Sequence, residues 1–205
     1  MKRNLMLLLV TGCLIVMNSC AAMNAKRGVI DNRFFSTYSP EISISVHEEL
    51  LYKGVTKHFQ SDLFRMQSSK ETCERYDFEN TGRTRYFSVR ILRLKDRNWH
   101  YLAASTGSIP NTLFKGQEVL GGKKYESCVF AGKSEGKPVL VKLLVRNVAY
   151  NVRIVMFYVE EAGTYKGWQQ PLSSEQKKTL DTFLNRSREA ISVDTEPPAG
   201  GLSAT

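Results

Sequence analysis

The sequence predicts an α+β domain, mainly an antiparallel β-sheet with a C-terminal amphipathic helix packed on one face. Three observations lead there. Apolar and polar residues alternate with period two in several segments. Two strongly β-prone stretches, 139–146 and 152–159, lie back to back. A single helical pattern follows them after Gly163, and strands first with a helix last fits a sheet covered on one side.

The first strand is expected at 42–46, where Ile42, Ile44 and Val46 share one face and Ser43, Ser45 and His47 the other, with Pro40 just ahead. The second is expected at 85–95, with Phe87, Val89 and Ile91 on one parity. Asp96-Arg97-Asn98 then suggests a tight turn into 99–104, so these two segments are expected to pair as a hairpin. Segments 139–146 and 152–159 are rich in Val, Ile and aromatics, flank a turn bracketed by Asn147 and Asn151, and should be central strands. Ser173 with Gln176 three residues on forms a capping-box start, and Leu180, Phe183, Leu184 and Ile191 make one apolar stripe of the helix behind it. From Asp194 onward Pro197, Pro198, Gly200 and Gly201 give a composition that cannot bury enough apolar surface to order itself. The expected boundaries are a leader at 1–19, a polar tether at 20–36, one domain at 37–192 and a tail at 193–205.

The leader follows from Lys2 and Arg3 ahead of a largely apolar run from Leu5 to Met17, the layout of a secretory signal peptide. An uncut segment from Leu5 to Met23 would be long enough for a tilted anchor, and that alternative stays open. Val16-Met17-Asn18-Ser19-Cys20-Ala21 resembles the lipobox of bacterial lipoproteins, with Met17 where Leu is usual. The resemblance implies cleavage before Cys20, diacylglycerol on its thiol and acylation of the new amino group. Two or three chains would hold the protein to a membrane, since each buried methylene contributes about 0.8 kcal/mol. Cleavage after Ala22 or Ala25 by an ordinary signal peptidase is the competing outcome. Ala21 stands where an Asp often retains such proteins at the inner membrane, so the resemblance points to the outer membrane, periplasmic side. Beyond this segment the domain resembles only uncharacterised lipoproteins.

The chain of 205 residues is 42% hydrophobic and 24% charged, ordinary for a globular domain. Its formal charge is +9, and removing Lys2 and Arg3 with the leader leaves 27 basic against 20 acidic residues, a net +7. Such a surplus suits anionic surroundings: lipid, lipopolysaccharide or wall polymer, and not nucleic acid, which export places out of reach.

Of the four cysteines, Cys13 leaves with the leader and Cys20 takes lipid. Cys73 and Cys128 remain, and an oxidising compartment predicts a disulfide between them, the alternative being two separate buried thiols. His47, His58 and His100 show no metal spacing, so no metal site or cofactor is expected. Cys128 with a histidine met in space could act as a nucleophile, although nothing local marks the thiol as activated. Gly132-Lys133-Ser134 lacks the earlier glycine and the following helix of a phosphate-binding loop. Glu48 with Glu49 and Glu160 with Glu161 are sequence neighbours, which on a strand point to opposite faces.

These exclusions favour a non-catalytic envelope lipoprotein that binds a protein partner or an anionic component. A small-ligand binder or an enzyme of unrecognised type are the alternatives. The candidate anionic-surface residues are Arg85, Arg93 and Lys95 on one strand parity, joined by Arg83 if the strand extends back, and Lys142 and Arg146 on another. Charges that merely solvate or protect strand edges are the competing explanation.

Overall fold

In the computed structural model, which describes residues 27–60, 71–96, 98–163, 167–168 and 171–194, the strands assemble into two antiparallel sheets. The smaller one begins with β1 (Arg27–Ile30) and β2 (Arg33–Ser36), joined over Asp31 and Asn32 at φ 48° and 58°. Asn and Asp are the side-chain-bearing residues that best tolerate that conformation. The Asn32 amide then donates to the carbonyls of Val46, His47 and Leu50, tying the turn to the end of β3 (Ile42–Val46). β3 lies between β2 and the last described strand.

The larger sheet holds seven strands. β4 (Leu51–Gln60), β5 (Glu71–Glu79) and β6 (Arg85–Leu94) run as one meander. β7 (Thr112–Leu120), β8 (Lys123–Ser134), β9 (Lys137–Ala149) and β10 (Val152–Glu161) run as another, and the two are joined along β6 and β10 with Ile91 opposite Ile154. The order is therefore β4-β5-β6-β10-β9-β8-β7, with β10 in the middle and β9 beside it. Residues 139–145 of β9 are all buried, as a strand covered on both faces requires. Glu135 and Gly136, at φ 50° and 81°, close the β8–β9 hairpin in the handedness that matches strand twist.

Helix α1 (Ser174–Glu189) starts at Ser173 with the expected reciprocal capping box: Ser173 Oγ accepts from the Gln176 amide at 3.2 Å, and Gln176 Oε1 accepts from the Ser173 amide at 2.9 Å. The helix ends at Ala190, and the chain returns at once as β11 (Ile191–Asp194), paired with β3. Ile191 is thus a strand residue opposite Val46, not the last member of the helical stripe.

The larger sheet is buried on both sides. On one face Tyr76, Phe78, Phe87, Val89, Ile91, Leu140, Leu144, Ile154 and Met156 share a core with Phe34, Ile42 and Ile44 of the small sheet and with Phe183 of α1. The rings of Phe34 and Tyr76 lie 4.7 Å apart, and those of Phe183 and Tyr158 5.5 Å. The opposite face carries Cys73, Leu92, Leu143, Val145 and Val155, with Tyr101, Ala104 and Ile109 of the 95–111 connection laid across them.

Three expectations change. Residues 27–36 are not tether but strands, and Phe34 is fully buried; residues 193 and 194 belong to β11. Segment 99–104 forms no strand, because both edges of β6 are already taken by β5 and β10. It packs over the sheet instead, the Tyr101 amide donating to the Tyr150 carbonyl at 2.8 Å. The leader at 1–19, Cys20, residues 21–26 and the tail beyond 194 lie outside the described residues.

Candidate functional site

Cys73 and Cys128 are separate, buried, free thiols, which corrects the expected disulfide. Cys73 is on β5 and Cys128 on β8, with β6, β10 and β9 between them. Four strand spacings amount to about 19 Å of sheet, whereas a disulfide needs Cα atoms within about 7 Å. Burial pushes the Cys73 thiol pKa up, the opposite of activation. Cys128 is fully buried, with Thr112 Oγ1 3.8 Å from its sulfur.

Four of the five basic residues expected to form an open face share a side of the sheet. It is the side that carries the large core. Arg85 and Arg93 have the parity of Phe87, Val89 and Ile91, while Lys142 and Arg146 have that of Leu140 and Leu144. Those apolar neighbours share a core with Phe34, Ile42 and Ile44 of the small sheet and with Phe183 of α1. Lys142 is 3% exposed, its Nζ 2.7 Å from Glu118 Oε2 and 3.3 Å from Ser187 Oγ of α1. Burial lowers the pKa of its ammonium and Glu118 opposes that. Ser127 donates to the other Glu118 oxygen at 2.7 Å, so one ion pair links β7, β8, β9 and the helix. Arg146 reaches the Tyr125 ring at 5.8 Å. Arg85 pairs with Glu49 at 2.5 Å, and Arg93 donates to the Ser39 carbonyl at 2.9 Å. Lys95 lies just past β6 and is exposed.

The two ends of the larger sheet differ in chemistry. Glu49, Thr84, Arg85, Glu160, Glu161 and Arg186 line an open cleft of about 570 Å³ at one end. A hollow of about 300 Å³ adjoins it along α1, between Leu140, Glu175, Thr179 and Phe183. The cleft charges are matched: Arg85 with Glu49, Arg186 with Glu160, and Lys137 with Glu161 at 2.6 Å. Tyr158 donates to Glu160 at 3.0 Å, and its hydroxyl pKa is raised by burial and by that carboxylate. Two matched carboxylates do not make an acid and base pair.

The other end receives the chain. Arg27, the first described residue, has a side chain only 3% exposed. It donates to Glu74 Oε2 at 3.0 Å, to Ser36 Oγ at 3.0 Å and to the Ser39 carbonyl at 2.8 Å, and its guanidinium lies 4.2 Å from the Tyr38 ring. Burial alone would raise the Glu74 pKa, but the hydrogen bond and charge of Arg27 outweigh it and hold that carboxyl below its ordinary value. Arg27 and Arg93 share the Ser39 carbonyl, which fixes the incoming chain beside the C-terminal end of β6.

Sequence reasoning missed this anchor, since nothing in the sequence pairs Arg27 with a glutamate 47 positions on. The nearest signal is Asp31-Asn32 followed by Phe34-Phe35, a turn and an apolar pair inside a supposed tether. Among the described residues no group of three or more His, Cys, Asp or Glu is placed to hold a metal ion, and no helix is long and apolar enough to cross a membrane. Comparison with family models, with curated proteins and with solved structures gives no match to this chain.

Proposed function

We propose that this chain is an exported bacterial lipoprotein, lipidated at Cys20, whose domain acts in the cell envelope by binding a protein partner or an anionic component and not by catalysis. The observation that carries the reading is the anchor at Arg27. The described structure starts at Arg27, seven positions after the cysteine of the lipobox-like segment, and this buried arginine is multiply bonded to the domain. Such a chain keeps its domain against the surface that holds the lipid. In this reading α1 covers one face of the sheet, with Phe183 against Tyr158 and Ser187 against Lys142. The binding surfaces are then the sheet ends and edges. Matched charges in the open cleft and two buried thiols support binding over chemistry.

The test is the anchor cysteine. Cys20→Ala expressed in a bacterium should lose incorporation of labelled fatty acid, and should either accumulate as precursor or move from the detergent phase to the aqueous phase. A Cys20→Ala protein that is processed and partitions like the parent would overturn the reading.

A further inference from the structure

At the end of the larger sheet where the chain arrives, basic side chains outnumber acidic ones among the described residues. Strand register places Arg93 of β6, Thr72 of β5 and Val152 of β10 at one level, and the β7–β8 turn at the same end. Lys57 on β4, Lys95 after β6, and Lys123 and Lys124 after that turn are all exposed there, with Arg93 half-buried among them. Among the described residues, exposed Glu41 and Asp96 stand against them. Glu74, 3.0 Å from Arg27 and 4.0 Å from Lys57, and Glu118, 2.7 Å from Lys142, also lie toward this end, as does buried Glu71 opposite Leu94. From β4 to β8 is five strand spacings, so the lysines are spread over about 24 Å. At the opposite end Glu49, Glu160 and Glu161 are matched by Arg85, Arg186 and Lys137.

Chain length sets which end can reach a bilayer. The seven Cα-to-Cα steps from Cys20 to Arg27 span at most about 25 Å fully extended. A domain of this length has a radius of gyration of about 15 Å, hence a diameter near 40 Å. Arg85 lies eight residues from Arg93 along β6, about 27 Å further from the anchored end. If the Arg85 end touched the membrane, Arg27 would stand higher above it than the connection can stretch.

We infer that the end of the sheet bearing Lys57, Arg93, Lys95, Lys123 and Lys124 lies against the phospholipid headgroups of the membrane that holds Cys20, while the Arg85 end faces away. This rests on lipid attachment at Cys20 and adds to it a fixed orientation. The field of an anionic leaflet acts within a Debye length, about 8 Å at physiological salt, so lysines held on this end by the short connection are within its range.

The experiment uses the full acylated protein in vesicles of phosphatidylcholine with phosphatidylglycerol. A fluorophore is placed at Lys95→Cys, Lys124→Cys or Glu135→Cys, the last on the β8–β9 turn at the far end. The parent protein, with Cys73 and Cys128 buried, should take up no label in its native state and serves as the blank. A headgroup-attached quencher should quench positions 95 and 124 several-fold more than position 135. Raising salt from about 0.05 M to 1 M, which shortens the Debye length to about 3 Å, should reduce quenching at 95 and 124 and leave 135 low. Equal quenching at all three sites, stronger quenching at 135, or no response to salt would overturn the inference. Protein that fails to float with the vesicles would refute acylation instead. Coupling Cys20 of the processed chain to a maleimide lipid then measures orientation independently of that failure.

Discussion

The two faces of the seven-stranded sheet are covered in different ways. Among the described residues, 24 buried side chains form the core on the face that meets the small sheet and α1, and five form the core on the other. The first cover is regular secondary structure, which satisfies its own backbone hydrogen bonds. The second is the 95–111 connection, whose carbonyls rely on side chains: Asn147 to Leu102 at 2.5 Å, Lys115 to Gly107 at 2.6 Å, and Thr112 to Ile109 at 2.6 Å. Arg153 packs 4.2 Å from the Tyr101 ring, and the Tyr101 hydroxyl donates to Glu71. A cover held by side chains from its edges belongs to the part of a fold that opens locally before the whole unfolds.

The largest effect should come from the regular face. Phe34→Ala removes a fully buried ring next to Tyr76 and should cost about 3–5 kcal/mol by chemical denaturation. Ile109→Ala on the opposite cover, only half-buried, should cost about 1 kcal/mol. Equal losses would break the comparison.

Next comes the ion pair inside the regular face. Glu118→Ala leaves the Lys142 ammonium buried without its carboxylate and should cost about 3 kcal/mol. Lys142→Met leaves Glu118, which is 23% exposed and can turn to water, and should cost about 1 kcal/mol or less. Thermal melts of the two variants test that asymmetry.

Tyr101→Phe removes the bond to Glu71 at a cost of about 1 kcal/mol. In a chain of this size that moves the melting temperature by only about 2–4 °C. Amide exchange in 98–111 should rise while that of β9 and β10 stays put, and a uniform rise would mean that the two covers open together.

Near neutral pH the smallest effect comes from the tyrosines, which work on both faces. Burial and neighbouring carboxylates raise Tyr76 and Tyr158 on the regular face and Tyr101 on the other, while burial and its bond to Asp77 push Tyr86 up to about 12. Their folded values exceed the ordinary 10, so their contribution is complete below pH 10 and is lost as pH rises through the folded values. Absorbance titration should show these four hydroxyls protonated at pH 11 in the folded protein, with the melting temperature falling above pH 10. Full ionisation of all nine tyrosines near pH 10 in a folded sample would remove this contribution.

Which parts were legible follows from the same contrast. β9, β10 and the capping box carry local signals strong enough to read: a run of buried Val and Leu, and a Ser with Gln three residues on. β1, β2 and β11 are four residues each, and they exist because a neighbour supplies hydrogen bonds and Phe34 supplies burial. Short strands of that kind leave little trace in sequence. The misreading of Lys142 was avoidable, since it shares parity with Leu140 and Leu144, and one parity of a strand cannot be both core and open surface. The thiols failed for another reason: compartment chemistry says that two cysteines can bond, but only strand order says whether they meet.

The register of β11 also has a practical reach. Asp194 stands opposite Ser43, Ser43 opposite Phe35, and Phe35 opposite Gly28, so the chain leaves the small sheet at the end where it came in. A fluorescent protein or affinity handle fused directly after Asp194 would therefore crowd the surface that we place on the bilayer. The β8–β9 hairpin turn at Glu135 and Gly136, exposed at the opposite end, is the better place for an inserted epitope, and accessibility to an outside antibody there would leave the anchored end undisturbed.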